Sequence, residues 1–292
     1  MNKTFLIAGG DLRFATLAGK LAENHTVYAV GFDRNVGMSD RVRVIDRITD
    51  MNVRADYIIL PLPVSGDGVT VSMPYSGRSV SLESLVPVIK ENGVIFGGMI
   101  SPDIRKLFEE NGIAVADYAK REEFAVLNAV ATAEGAIQVA MEELATTLSG
   151  RKILILGAGR IAKMLIDMLS GFHADITVAA RKCSDLAWAR VYGCKAVQIN
   201  AMENEAAESD VIFNTVPAVI LDEKLLRLIN RNSLVIDLAS KPGGVDFDTA
   251  GSLGVKAVWL LSLPGKVAPV TSGEVIAEAV KNILSERGDF ND

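Results

Sequence analysis

The sequence predicts an α/β protein of two Rossmann-like, doubly wound parallel-sheet domains joined by a long helix. Three observations carry that expectation. Short apolar runs without polar alternation recur along the chain, as strands buried on both faces of a parallel sheet require. The segments between them are long enough for crossover helices. The two halves also repeat each other: Gly9 and Gly157, His25 and His173, and Asp33 and Arg181 are each 148 positions apart.

In the first half, the run from Phe5 to Ala8 reads as a strand before the turn Gly9-Gly10-Asp11-Leu12-Arg13. Asp56-Tyr57-Ile58-Ile59 matches Asp210-Val211-Ile212-Phe213, and Pro63 matches Pro217, both at an offset of 154. Asn92 then matches Asn232 at 140, so the first half holds an insertion of 14 residues. Residues 64–80, rich in Ser, Gly and Val, read as the irregular loop that contains it. Residues 121–149 have few breakers and many Ala, Glu, Leu and Met, which predicts the connecting helix. In the second half, Lys152-Ile153-Leu154-Ile155-Leu156 is a strand, 157–159 a glycine turn, and Met164, Leu165 and Leu169 mark a helix. Apolar runs at 176–180, 211–213, 234–238 and 257–261 are the later strands. Val275, Ile276, Ala279, Val280, Ile283 and Leu284 have helical spacing and predict a last helix over 273–287, packed back on the first domain. The expected division is a substrate domain over 1–120, the helix over 121–149 and a cofactor domain over 150–272.

Composition narrows the function classes. Among 292 residues, 49% are hydrophobic and 23% charged, which is globular composition. At that length two domains are expected. A net charge of -6 works against a nucleic-acid partner. The apolar run near the start is too short for a signal peptide and no stretch reads as a membrane span, so the expected location is the cytoplasm. Cys183 and Cys194, the two cysteines, belong to no ligand-spaced cluster, and neither a metal site nor a disulfide is expected.

Gly157-Ala158-Gly159-Arg160-Ile161-Ala162 fits a dinucleotide fingerprint. The first glycine makes the tight turn, the second lets backbone approach a pyrophosphate, and the helix N-terminus supplies oriented N–H donors. Alanine serves for the third glycine, where only close helix packing is needed. Alone the motif is weak; a strand before it, a helix after it and a second strand ending at Ala180 strengthen it. Where an acid would hold the ribose hydroxyls of NAD stand Arg181 and Lys182, so NADP is expected, its 2'-phosphate on the arginine. A solvated basic pair is the plainer alternative. The first half has Asp11 where the second has Gly159. A carboxylate there repels a pyrophosphate, while the helix N-terminus and Arg13 still suit a smaller anion.

In such sheets ligands sit beyond the strand C-termini, which nominates the loops at 10–13, 61–68, 214–217, 240–244 and 263–266. His25 and His173 fall near helix ends instead, so histidine catalysis is not expected. The cations left are Lys241, Lys266, Arg13 and Arg121, and the possible bases Asp11, Glu122, Glu123 and Glu134. Lys241, before Pro242-Gly243-Gly244, could hold a substrate carboxylate.

Taken together, Gly9-Gly10-Asp11-Leu12-Arg13, Asn128-Ala129-Val130-Ala131-Thr132-Ala133-Glu134-Gly135, Asn214-Thr215-Val216-Pro217, Asp237-Leu238-Ala239-Ser240-Lys241-Pro242-Gly243-Gly244 and Leu263-Pro264-Gly265-Lys266-Val267-Ala268-Pro269 resemble the family of the dipicolinate synthase A subunit over nearly the whole chain. The resemblance implies NADP-linked oxidation, with loss of water, of 4-hydroxytetrahydrodipicolinate to dipicolinate in the mother cell of a sporulating bacterium. It also implies a partner, the flavoprotein-like dipicolinate synthase B subunit, and a homo-oligomer is expected. By the same resemblance Asp11, Arg13, Asn128, Thr132, Glu134 and Lys241 bind the dicarboxylate, with Lys241 and Glu134 catalytic. Residues 157–161, Arg181, Lys182, 214–217, Ala239, Leu263, Pro264 and Gly265 hold the cofactor. Three positions depart from the family pattern: Ala131 for a proline, Ala162 for the third glycine and Val270 for a lysine, for which Lys266 could compensate. The Leu-Pro-Gly-Lys stretch also resembles methylenetetrahydrofolate dehydrogenases, but no tyrosine and lysine pair supports their chemistry. A non-catalytic NADP-binding protein is the alternative of another class.

Overall fold

A computed structural model describes residues 2–33 and 36–289. The chain divides into two compact units, Met1–Asn128 with Ala268–Asp292, and Ala129–Val267. Each is built on one six-stranded sheet whose strand pairs are parallel. The first unit holds β1 (Thr4–Ala8), β2 (Thr26–Val30), β3 (Arg43–Ile45), β4 (Ala55–Ile59), β5 (Ile89–Gly97) and β6 (Ala114–Asp117), in spatial order 3-2-1-4-5-6. The second holds β7 (Lys152–Leu156), β8 (Asp175–Ala180), β9 (Lys195–Gln198), β10 (Val211–Asn214), β11 (Leu234–Asp237) and β12 (Lys256–Trp259), in order 9-8-7-10-11-12. These are the same order. Each sheet switches direction beside its first strand, where open α/β sheets form ligand crevices.

The uninterrupted apolar strands follow from burial on both faces. Phe5 and Ile7 of β1 face one core layer, while Leu6 and Ala8 face the other. Ile153 and Ile155 of β7 are likewise separated from Leu154 and Leu156. In the first unit, α1 (Leu12–Leu21) and α10 (Pro269–Glu286) share a core layer through Phe14, Leu17, Ile276, Val280 and Leu284. They approach so closely that a Cβ on Gly273 would stand 2.3 Å from the carbonyl of Arg13.

Strand register tests the repeat directly. Tyr57 pairs with Val94 and Val211 with Leu234, in keeping with the offsets of 154 and 140. At the second strand the offset is corrected by one residue. Thr4 pairs with Thr26 but Lys152 with Asp175, so Phe32 and not Asp33 is the counterpart of Arg181. The shift arises upstream, where α4 (Arg160–Gly171) has 12 residues against the 10 of α1 and the connection to the next strand is one residue shorter.

The helix foreseen over 121–149 is α3 (Glu122–Glu143), followed by turns. The unit boundary, after Asn128, falls inside it. By length and composition α3 could cross a membrane, the one such helix among the described residues, a match the sequence reading had not noted. Half of that apolar window is buried in the protein, and Ala133, Ala136, Ile137 and Ala140 pack into the core of the second unit.

Candidate cofactor site

The glycine turn of the second unit is open. Gly157 has a φ of 98°, and a Cβ there would lie 2.4 Å from Oγ1 of Thr215, so backbone and packing both demand glycine. Its N–H donates to the carbonyl of Ala179 at 2.9 Å, tying the turn to the end of β8. Gly159 is the N-cap of α4, with no side-chain cap, and nothing lies within 4 Å of the place its Cβ would take. The start of α4 thus carries no side-chain cap, and the space beside Gly159 is open, the setting in which a helix N-terminus can receive an anion. That space is a hollow of about 270 Å³ lined by residues 157–159, Ala180, Arg181, Lys182, Asp185, Ile199 and residues 215–217. Two exposed cations and one carboxylate thus stand at the end of β8.

Asn214 is not in that lining. It is fully buried at the end of β10, where Nδ2 donates to the carboxylate of Asp237 at 2.7 Å and to the carbonyl of Val216 at 3.0 Å. Its Oδ1 accepts from the N–H of Val216. Asp237, equally buried at the end of β11, also accepts from the amides of Ala239 at 3.0 Å and Gly244 at 2.7 Å. The pair ties together the two loops that leave adjacent strands, so Asn214 shapes the wall that Thr215, Val216 and Pro217 present. Sequence reasoning missed Asp237. Its signal was two neighbouring apolar runs that each end on a buried-type position filled by a polar residue, which the register sets side by side.

The remaining expected residues scatter. Lys241 is exposed on the loop after β11 and makes no ion pair among the described residues. Ala239 is buried, its carbonyl accepting from Nε1 of Trp259 at 2.9 Å. Arg160 and Ile161 open α4 outside the lining of the hollow. Leu263, Pro264 and Gly265 are not a loop tip but the start of the short helix α9 (Leu263–Val267). Leu263 and Pro264 are buried there, Leu263 in the core beside Gly135. Glu134 lines a different, largely apolar hollow with Ile137, Met141, Met168 and Phe172. Asn128 and Thr132, four residues apart, share a face of α3, and Thr132 is buried. Arg121 is engaged by Glu123 and Glu286, Val270 and Lys266 are exposed, and Ala162 is fully buried against the core. The two histidines follow α1 and α4, away from the strand tips, with burial holding the His25 imidazole below its ordinary range.

In the first unit the equivalent turn is closed twice over. Asp11 is the N-cap of α1, its carboxylate accepting from the amide of Arg13 at 3.1 Å and from Nε and Nη2 of that guanidinium at 2.8 Å each. Arg13 is only 5% exposed and also donates to the carbonyl of Leu62. The expected anion anchor thus reaches its own neighbour first. The insertion supplies the second closure. The carbonyl of Ser72 accepts from the amide of Gly10 at 3.0 Å, and Met73 sits against Gly9 and Gly31.

Two family models match the chain: the N-terminal domain of the dipicolinate synthase A subunit over residues 4–119, and the "D-isomer specific 2-hydroxyacid dehydrogenase, NAD binding domain" over residues 117–240. The dipicolinate synthase A subunit of Bacillus subtilis (strain 168) is 30% identical over 285 residues, 96% of this chain and 95% of that one. The chain belongs to the family of the dipicolinate synthase A subunit. The crystal structure of the corresponding protein from Bacillus halodurans has a TM-score of 0.88 at 28% identity, covering 97% of this chain and 98% of that chain. A shikimate dehydrogenase (NADP(+)) of Pyrococcus abyssi (strain GE5 / Orsay) is 30% identical over 127 residues, 41% of this chain and 48% of its own. The chain is an oxidoreductase of the dehydrogenase type, and its second half is a nicotinamide-cofactor domain. Membership of this family sets aside the methylenetetrahydrofolate dehydrogenase alternative.

Proposed function

We propose that this chain oxidises 4-hydroxytetrahydrodipicolinate to dipicolinate with NADP as acceptor. The substrate loses water and then two electrons and a proton as hydride, with one further proton released as the ring becomes aromatic. The proposal places the work in the cytoplasm of a sporulating mother cell, beside a flavoprotein-like B subunit. The observation that carries it is the uncapped turn at Gly159 opening onto Arg181 and Lys182.

The residues present fit the cofactor. When bound, NADP supplies the hydride acceptor. The α4 amides would hold the pyrophosphate, and Arg181 with Lys182 the 2'-phosphate through charge-assisted hydrogen bonds. The NADP named for the shikimate dehydrogenase relative agrees with that choice. Thr215, Val216 and Pro217 form a wall that the Asn214–Asp237 pair keeps in place. Lys241 is the anchor for a substrate carboxylate, because its ammonium is exposed and enters no ion pair among the described residues. Arg13, expected as a second anchor, is instead held in an ion pair with Asp11 within its own unit. The base assignment of Glu134 is weakened by its place in an apolar hollow apart from the glycine turn.

The test is turnover by the isolated chain with NADP and substrate, followed as NADPH absorbance. Reduction of NADP, with NAD slower, is expected; binding of NADP with no turnover would make the chain a cofactor-binding protein without catalysis of its own.

A further inference from the structure

We propose that the first unit carries a second nucleotide site, specific for a nucleoside monophosphate. It would lie in a hollow of about 430 Å³ where β2 ends. The inference rests on reading the hollow of the second unit as the adenosine end of a dinucleotide site.

Register places the two hollows at the same point of the fold. The amide of Gly9 donates to the carbonyl of Val30, as that of Gly157 does to Ala179, so Val30 and Gly31 correspond to Ala179 and Ala180. Each pair sits where a parallel α/β sheet receives the nucleoside. In the second unit the hollow runs on into the glycine turn. In the first it cannot, because Met73 rests on Gly31 and Gly9 and the carbonyl of Ser72 occupies the amide of Gly10. The space left is closed at the end that would lead to a pyrophosphate.

Its lining suits such a ligand. Val30, Ile48, Met73 and Val80 offer apolar surface for a base. Two guanidinium groups stand at the hollow. Arg78 is braced by Asp46, donating to its carbonyl at 2.9 Å and pairing with its carboxylate at 3.2 Å. Arg47 enters no ion pair among the described residues. Arginine forks bind phosphate in two-point fashion, and the hydroxyls of Thr49 and Ser79 add donors for ribose or phosphate oxygens. The loop that carries Ser79 is itself held. The carboxylate of Asp33 accepts from Oγ of Ser76 at 2.7 Å and from the amide of Gly77 at 3.1 Å, hydrogen bonds that keep its pKa below the ordinary range. The volume lies within the range of small-ligand sites. A flat aromatic dicarboxylate shares the same chemistry, an apolar ring bearing anions, and is the competing source.

The experiment is calorimetric titration of AMP into the full chain already saturated with NADP, so that the second unit is occupied. One AMP per chain is expected, with affinity lowered at least tenfold by Arg47→Glu and NADP affinity unchanged. Both Arg47 and Arg78 are exposed, so thermal unfolding of the variants should match wild type. No AMP binding at millimolar concentration, or equal binding by Arg47→Glu and Arg78→Glu, overturns the proposal. So does binding of pyridine-2,6-dicarboxylate in place of AMP with the same dependence on Arg47. If NADP itself does not bind, the reading of the second unit fails separately, and titration of AMP into the free chain and into Arg47→Glu still decides this one.

Discussion

The two glycine turns of this chain are the same piece of backbone put to opposite uses. Asp11 and Gly159 are both N-caps, 148 positions apart, in the same extended region of φ and ψ (-103° and -163° against -77° and -166°). One side chain makes the difference. In the first unit the carboxylate satisfies an orphan amide of its own helix and holds a buried arginine. In the second no side chain caps the helix. A side-chain cap satisfies one of the orphan amides of a helix start, whereas an uncapped start at a strand tip leaves it to water or to a bound anion. The insertion completes the contrast, because Ser72 and Met73 occupy what the second unit leaves open.

The sharpest way to break this comparison is to write the first turn into the second. Gly159→Asp meets no neighbour within 4 Å and needs no positive φ, so the variant should fold. Its new cap should leave stability unchanged or raise it by about 1 kcal/mol. NADP affinity should fall at least about 100-fold, or ~2.7 kcal/mol, because a carboxylate then faces the pyrophosphate. Calorimetry reads both, and undiminished NADP binding would disprove the assignment of the turn. The reverse operation is Asp11→Ala, which removes a cap and leaves the nearly buried Arg13 unpaired. A loss of about 2–3 kcal/mol in urea unfolding is expected, below the full cost of breaking a buried pair because Asp11 is 28% exposed. An unchanged midpoint would show the pair to be incidental. Arg181→Asp should weaken NADP by about 1.5–3 kcal/mol and NAD by less. An equal loss for both would end the 2'-phosphate reading. The smallest effect is expected from Lys241→Ala, a several-fold rise in KM for the dicarboxylate at unchanged NADP affinity. Loss of turnover with KM preserved would move Lys241 from anchor to acid.

Much of the fold was legible because periodicity and turn chemistry are local. The apolar runs at 153–156 and 211–213 read as buried strands, and the 14-residue drop in offset located the insertion between Pro63 and Asn92. The glycine turn was legible for the same reason. What failed depended on tertiary packing. Leu263 and Pro264 sit in a Pro-Gly stretch that looks like a loop tip, yet the core behind Gly135 draws them inward as a short helix. The pairing of Arg13 with Asp11 depends on the path of the chain at residues 10–13, which composition does not reveal. The course of Ser72 and Met73 over Gly9 is a long-range contact with no local signal. Asp237 lay in plain view at the end of an apolar run, but its role emerges only from its neighbour Asn214 across the sheet.

On the proposed function, the turn at Gly159 binds the cofactor and the turn at Asp11, closed by its own carboxylate and the insertion, does not. Counting NADP molecules bound per chain at saturation tests it most directly. One per chain in the wild type, and none in Gly159→Asp at the same concentrations, is the expected result; two per chain, or one persisting in Gly159→Asp, would contradict it.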